Sequence, residues 1–188
     1  MQWTPGAVNP DPTFLRDVEQ ELGTGIASCF HCSKCSNGCP VAFAMDVKPN
    51  RVVRMTQMGL KDEVLGSSTI WLCPSCETCV TRCPNEVDIP GMMDVLRQMA
   101  IRENVPAAEP EIPAFHAAFL SSVGKHGRVH DLGMLTSYKL RTRQRAGAFK
   151  DVSLGWQMFK RGKLRLLPSK ARRTQRIRAM LRETVRRI

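Results

Sequence analysis

The sequence predicts a mainly α fold with two parts: a helical domain built around cysteine motifs, and a helical, strongly basic C-terminal extension. Apolar residues recur at helical spacing between Pro and Gly breaks, and the alternating patterns typical of strands are scarce. All eight cysteines fall in two blocks of identical spacing. A length of 188 residues suits a domain of common size plus an extension.

The first predicted helix starts after Asp11-Pro12 and ends before Gly23, with Phe14, Leu15, Val18 and Leu22 on one face. The segment between the cysteine blocks is also expected to be helical. Pro49 suits a first helical position, and the apolar run that follows it ends at Gly59. A second short helix is predicted over residues 60–65. The apolar residues of the first run are Val52, Val53, Met55 and Met58.

After the second block, Asp88 can cap a helix that has Pro90 in its first turn and continues to Asn104. Residues 105–113, with three prolines and two acids, have the composition of a linker. Helices are predicted over 114–123 and 131–140, with a turn over 124–128, and a basic amphipathic helix over 169–188. The predicted organisation is therefore a cluster domain over 1–104, a linker over 105–113 and a basic extension over 114–188.

The cysteine blocks carry the chemistry. They are Cys29-x2-Cys32-x2-Cys35-x3-Cys39-Pro40 and Cys73-x2-Cys76-x2-Cys79-x3-Cys83-Pro84, offset by 44 positions. This is the ligand run of bacterial two-cluster ferredoxins, in which three cysteines hold one [4Fe–4S] cluster and the fourth reaches the other. The spacing predicts an all-helical ferredoxin-like domain with two [4Fe–4S] clusters. The expected ligands are Cys29, Cys32, Cys35 and Cys83 for cluster 1, and Cys73, Cys76, Cys79 and Cys39 for cluster 2.

Other uses of the cysteines fit less well. Structural zinc sites usually pair two C-x2-C knuckles, without a third cysteine at the next two-residue gap. A secreted disulfide scaffold is disfavoured because the first residues show neither a basic start nor an apolar run. His31 lies within the first block, where four thiolates already suffice. A hydrogen-bonding or rim position is therefore expected for it.

The net charge of +11 is unevenly distributed. Residues 1–100 hold 8 Lys or Arg against 11 Asp or Glu, and residues 101–188 hold 20 against 6. An acidic redox domain is thus joined to a basic extension, for which we expect docking onto acidic partner subunits. Nucleic acid is not expected as a partner, since aromatic residues among the basic ones are few. No apolar stretch approaches the roughly 20 residues of a membrane span, although peripheral contact of the tail with an anionic membrane stays open.

The chain resembles the family of heterodisulfide reductase C subunits over about residues 14 to 140. The resemblance rests on the two cysteine blocks, the helical spacer and Val87-Asp88-Ile89-Pro90. It continues downstream through Phe119-Leu120, Lys125, Gly127-Arg128-Val129, Leu135 and Tyr138. Two blocks on helical arms also occur in iron–sulfur subunits of succinate dehydrogenase and glycolate oxidase, so the downstream segment makes the resemblance more specific.

This resemblance implies an electron-transfer subunit that is not an enzyme alone. Thiolates that hold iron need a reducing compartment, so we expect the protein to be cytoplasmic. In that family, the C subunit relays single electrons between the A subunit, which carries flavin and clusters, and the catalytic B subunit, which converts a disulfide or a sulfur compound. Two alternatives stay open. One is the iron–sulfur subunit of a quinone-linked or 2-hydroxy-acid oxidoreductase, and the other is a basic zinc- or cluster-containing module that binds nucleic acid.

Overall fold

In the computed structural model, the described residues are 9–142, 156–158, 160–162, 169, 171 and 173–187, with side chains described as far as residue 183. Helices joined by turns and irregular segments make up the described residues, and no β-strand occurs among them. The mainly α prediction is thereby confirmed. Two compact units are present, residues 1–109 and 110–188.

The first unit contains seven helices with described bounds. The long helices predicted around the cysteine blocks are confirmed, while the one-turn helices within and before the blocks were not predicted. In chain order the helices are α1 (Phe14–Leu22), α2 (Lys34–Asn37), α3 (Pro49–Gln57), α4 (Lys61–Leu65), α5 (Thr69–Leu72), α6 (Thr78–Thr81) and α7 (Ile89–Arg102).

Helix α7 is the centre of the first unit, where it packs against α1, α4, α5 and α6. Its apolar residues Met92, Met93 and Leu96 are fully buried. Phe14 and Val18 of α1 are equally buried, and the helix ends at Gly23 in a left-handed conformation. Met58, by contrast, is 44% exposed although it belongs to the predicted apolar run, and it lies one residue after the end of α3. The core of the first unit is therefore built around α7 and α1.

Gly59 makes a close approach that other residues would not tolerate. Its φ is +75°, and a Cβ placed there would collide with the carbonyl oxygen of Asp11. The Asp11 N–H donates to the Gly59 carbonyl at 2.9 Å. The glycine that ends α3 thus also holds the start of the α1 segment against the spacer.

The second unit contains α8 (Glu111–His126), α9 (Asp131–Arg141) and α10 (Thr174–Arg187). Helix α8 packs against both of the others. It begins inside the segment predicted as a linker and runs through most of the predicted turn, so helix replaces turn until Gly127 takes a left-handed φ of 74°. In α10, Ile177 and Leu181 are half-buried near Gly127 and Gly124, while Met180 is 63% exposed. The other two residues of the predicted apolar face, the side chain of Val185 and Ile188, lie outside the described residues.

The start of α7 allows a direct test of its cap. The Asp88 carboxylate accepts a hydrogen bond from the Gly91 N–H at 2.9 Å, as the sequence predicts for an N-cap. We expect Asp88→Ala to lower the free energy of unfolding by about 0.5–2 kcal/mol, because the cap is lost. Asp88→Asn, which keeps the accepting oxygen, should stay close to the wild type. Urea unfolding of anaerobic protein, followed by circular dichroism, measures both; equal losses in the two variants would contradict the capping role.

Candidate metal centre

The two cysteine blocks have the same backbone conformation. Helix α2 follows the second cysteine of its block and α6 lies 44 residues later, residue for residue. His31 and Ser33 have positive φ angles of 53° and 62°, and their counterparts Ser75 and Glu77 have 52° and 60°. In each block these residues, with left-handed backbone conformation, flank the second cysteine, and they turn the chain sharply there. The repeat in the sequence is thus a repeat in three dimensions.

A recess of about 360 Å³ lies at the first block. Its thiols come from both blocks, since Cys29, Cys32 and Cys35 are joined there by Cys83. Polar side chains, among them His31, also line this recess. The chain therefore brings four thiols to one space although their sequence positions span both blocks.

A second recess of about 340 Å³ lies at the other block. It is lined by Cys73, Cys76 and Cys79 together with Cys39, and Cys35 lines this recess as well as the first. Apart from thiols, its lining is dominated by apolar side chains, namely Met45, Pro49, Pro74, Ile89 and Pro90. Three of these are prolines, which carry no backbone donor.

Hydrogen-bond donors reach several sulfurs. The His31 N–H donates to Cys29 Sγ and the Val87 N–H to Cys83 Sγ, both at 3.4 Å. At the second block, Thr78 Oγ1 lies 3.4 Å from Cys76 Sγ. Such donors stabilise negative charge on sulfur.

The pKa values of the thiols differ with their burial. Burial raises the pKa of Cys35 and of Cys73, and it raises the pKa of Cys79 to about 11. Hydrogen bonds from Thr78, first of all from its hydroxyl, lower the pKa of the exposed Cys76. Thiols with raised pKa values become thiolates when a metal supplies positive charge. The gathering of these thiols around the two recesses fits a site that binds a metal-containing group.

The donor set fits clusters better than single ions. Four sulfurs around one zinc, each at about 2.3 Å, would lie only roughly 4 Å apart. Within the described part of the chain, no three His, Cys, Asp or Glu side chains converge closely enough to hold one ion. Eight thiols around two recesses instead match the all-thiolate ligation of [4Fe–4S] clusters.

A layer of polar side chains supports the first block. Ser36 Oγ donates to Asn50 Oδ1 at 2.6 Å, and Asn50 Nδ2 donates to Ser33 Oγ at 3.1 Å. Gln57 Nε2 donates to the Ile26 carbonyl at 3.0 Å, which leaves its Oε1 to accept from His31 Nε2 at 2.8 Å. His31 is thus half-buried and hydrogen-bonded.

The second block is supported by Arg97, which sequence reasoning left unremarked. Its guanidinium donates to the Ile70 carbonyl through Nε and to the Cys73 carbonyl through Nη2, the latter at 2.6 Å. The Asp46 carboxylate accepts a hydrogen bond from the Ser68 N–H at 2.8 Å and so caps the start of α5, the helix that ends one residue before Cys73. Periodicity could not identify these residues, because each acts on backbone that is distant in sequence.

Residues 25–87 match the family described as 4Fe-4S dicluster domain. The C subunits of heterodisulfide reductases from methanogens are similar to the chain. One belongs to the H(2):CoB-CoM heterodisulfide,ferredoxin reductase of Methanothermobacter marburgensis and is 30% identical over 50% of this chain and 51% of that protein. Another, the iron-sulfur C subunit of the CoB--CoM heterodisulfide reductase of Methanopyrus kandleri, is 31% identical over 53% and 55%.

A third relative, the C subunit of the ferredoxin:CoB-CoM heterodisulfide reductase of Methanosarcina mazei, is 32% identical over 47% of this chain and 55% of its own length. The chain spans about half the length of these relatives. None of the helices in the described ranges is long and apolar enough to cross a membrane. The matched domain contains all eight cysteines of the chain, which supply the ligands of two [4Fe–4S] clusters. Over that half of its length, the chain is similar to the iron–sulfur C subunits of heterodisulfide reductases.

Proposed function

We propose that this chain is the electron-transfer subunit of a heterodisulfide-reductase-like complex. It relays single electrons between a subunit with flavin and iron–sulfur clusters and a catalytic subunit that converts a disulfide or a sulfur compound. The observation that carries this proposal is the gathering of all eight thiols around two adjoining recesses. Each cluster, when bound, accepts and releases one electron.

We also propose crossed ligation, in which each cluster takes three ligands from one block and its fourth from the other. Cys83 would complete the set of Cys29, Cys32 and Cys35, and Cys39 that of Cys73, Cys76 and Cys79. The lining of the two recesses supports this assignment, since each contains the fourth cysteine of the opposite block. Crossed ligands tie the two blocks together, so that loss of either cluster would loosen both halves of the unit.

The geometry suits a relay. Cys35 and Ile89 line both recesses, so the two sites adjoin and a short route joins them. The second cysteine of each block, Cys32 or Cys76, is exposed, so each site has an edge that reaches the surface. A donor can therefore approach one edge while an acceptor approaches the other.

The basic second unit gives the proposal a docking element. Residues 110–188 hold 19 Lys or Arg against 4 Asp or Glu, an excess that favours attachment to acidic surfaces of partner subunits by long-range attraction. The matched relatives are named as subunits of heterodisulfide reductases, which supports a complex of this class. A reducing compartment, the cytoplasm, would keep the eight thiols available for iron.

Anaerobic purification of the tagged chain from its native cells tests the proposal. We expect about eight iron and eight acid-labile sulfide per chain, and co-purification of a flavoprotein and a second iron–sulfur protein. A sample held at high salt serves as a control, because ionic docking should weaken there while the clusters stay bound. Zinc without sulfide, or a cluster-loaded chain that is always recovered alone at low salt, would contradict it.

A further inference from the structure

The helices that follow the two cysteine blocks each place a hydrogen-bond donor at the same position. Gln57 is the ninth residue of α3, and Arg97 is the ninth residue of α7. Gln57 donates to the carbonyl of Ile26, and Arg97 donates to the carbonyl of Ile70. Both carbonyls belong to the residue three positions before the first cysteine of a block. The two side chains are therefore equivalent braces in a pseudo-symmetric unit.

The braces differ in charge. The Gln57 amide is neutral and turns its oxygen toward His31 at 2.8 Å. Arg97 carries a guanidinium whose Nη2 donates to the Cys73 carbonyl at 2.6 Å. A permanent positive charge thus lies directly behind the first ligand position of the second block, where the first block has an uncharged amide.

Other charges do not cancel this difference. The Arg97 side chain is only 13% exposed, whereas its ion-pair partner Asp94, at 2.6 Å, is 53% exposed. Lys34, beside the first recess, and Glu77, next to Cys76 at the second block, are both exposed to solvent. Solvent and salt screen exposed charges much more than buried ones, so the guanidinium dominates at the second site. Acidic caps occur in both halves, Glu19 at Ile26 and Asp46 at Thr69, and so largely offset each other.

We infer that Arg97 makes the two clusters unequal, by holding the cluster of the second block at a more positive reduction potential than the cluster of the first. This inference rests on the proposed function, because it requires both clusters to be bound. Reduction adds one negative charge to a cluster, and a nearby buried cation stabilises the reduced form. A single electron on the protein then resides mainly at the second block, beside Cys73.

Potentiometric titration of the cluster-loaded full chain, followed by electron paramagnetic resonance, tests the inference. The wild type should show two separate midpoint potentials. Arg97→Gln, which copies the Gln57 brace, should shift the higher midpoint downward and leave the lower one in place. Arg97→Lys is the matched control that keeps the charge, and it should shift the higher midpoint less.

Asp94→Asn provides a second variant that leaves the brace itself intact. Removing the exposed and partly screened carboxylate should shift the higher midpoint upward, by less than Arg97→Gln lowers it, and it decides the matter if Arg97→Gln fails to retain iron. Coincident midpoints in the wild type would overturn the inference. So would an iron-replete Arg97→Gln protein with both midpoints unchanged, or an Asp94→Asn protein without a shift. Absence of iron–sulfur clusters from the wild type would instead overturn the proposed function.

Discussion

Replacing Cys83 with serine is expected to remove the cluster of the first block, although Cys83 belongs to the second. The Sγ atom of Cys83 lines the recess with Cys29, Cys32 and Cys35, and the Val87 N–H donates to it at 3.4 Å. A serine hydroxyl is a much weaker iron ligand than a thiolate. Iron should therefore fall from about eight to about four per chain, with a parallel fall in acid-labile sulfide.

Double variants separate crossed from uncrossed ligation. With crossed ligands, Cys29→Ser added to Cys83→Ser removes a second ligand from a site that is already lost, so about four irons should remain. Cys73→Ser added to Cys83→Ser damages both sites, and iron should fall toward zero. The reverse outcome, with the Cys29 combination empty and the Cys73 combination half-loaded, would show that each block holds its own cluster. Iron and sulfide analysis of anaerobic protein gives the answer, with circular dichroism as a check that the helices persist.

The second large effect concerns the apolar core of the first unit. Phe14 is fully buried in α1, which packs against α3 and α7. Phe14→Ala should lower the free energy of unfolding by about 3–5 kcal/mol, because the ring's burial is lost and a cavity remains. Since α3 and α7 carry Gln57 and Arg97, loosening of these helices should also reduce iron occupancy.

Phe43 offers a matched control for the same substitution. It is 90% exposed, so Phe43→Ala should change the free energy of unfolding by no more than about 0.5 kcal/mol. Anaerobic urea unfolding of the two cluster-loaded variants beside the wild type makes the comparison. Similar midpoints for Phe14→Ala and Phe43→Ala would contradict the core position of α1.

Much of the fold follows from local sequence features. Pro49 and the Asp88–Pro90 pair predict where α3 and α7 begin, and Gly23 and Gly59 predict where helical runs end. These features are local because caps and prolines act on the backbone within a few residues. Segments governed by longer-range contacts were less predictable. Helix α8 continues through Lys125, where the sequence predicts a turn, because its C-terminal end packs against residues of α10 that are distant in sequence.

The candidate site likewise has features that the sequence predicts and others that only the tertiary structure shows. Two cysteine blocks with one spacing determine that thiols serve paired iron–sulfur clusters, because the number and spacing of sulfurs match that chemistry. Only the tertiary structure decides which side chains stand behind the thiols. Gln57 and Arg97 lie 28 and 24 residues after the first cysteines of their blocks, Cys29 and Cys73, so no common offset from the cysteines reveals that they are equivalent. Their equivalence comes from helix packing, which brings each one against a carbonyl before its block. The local spacing of the cysteines identifies the ligands, whereas the charge around a cluster depends on contacts between residues far apart in the chain.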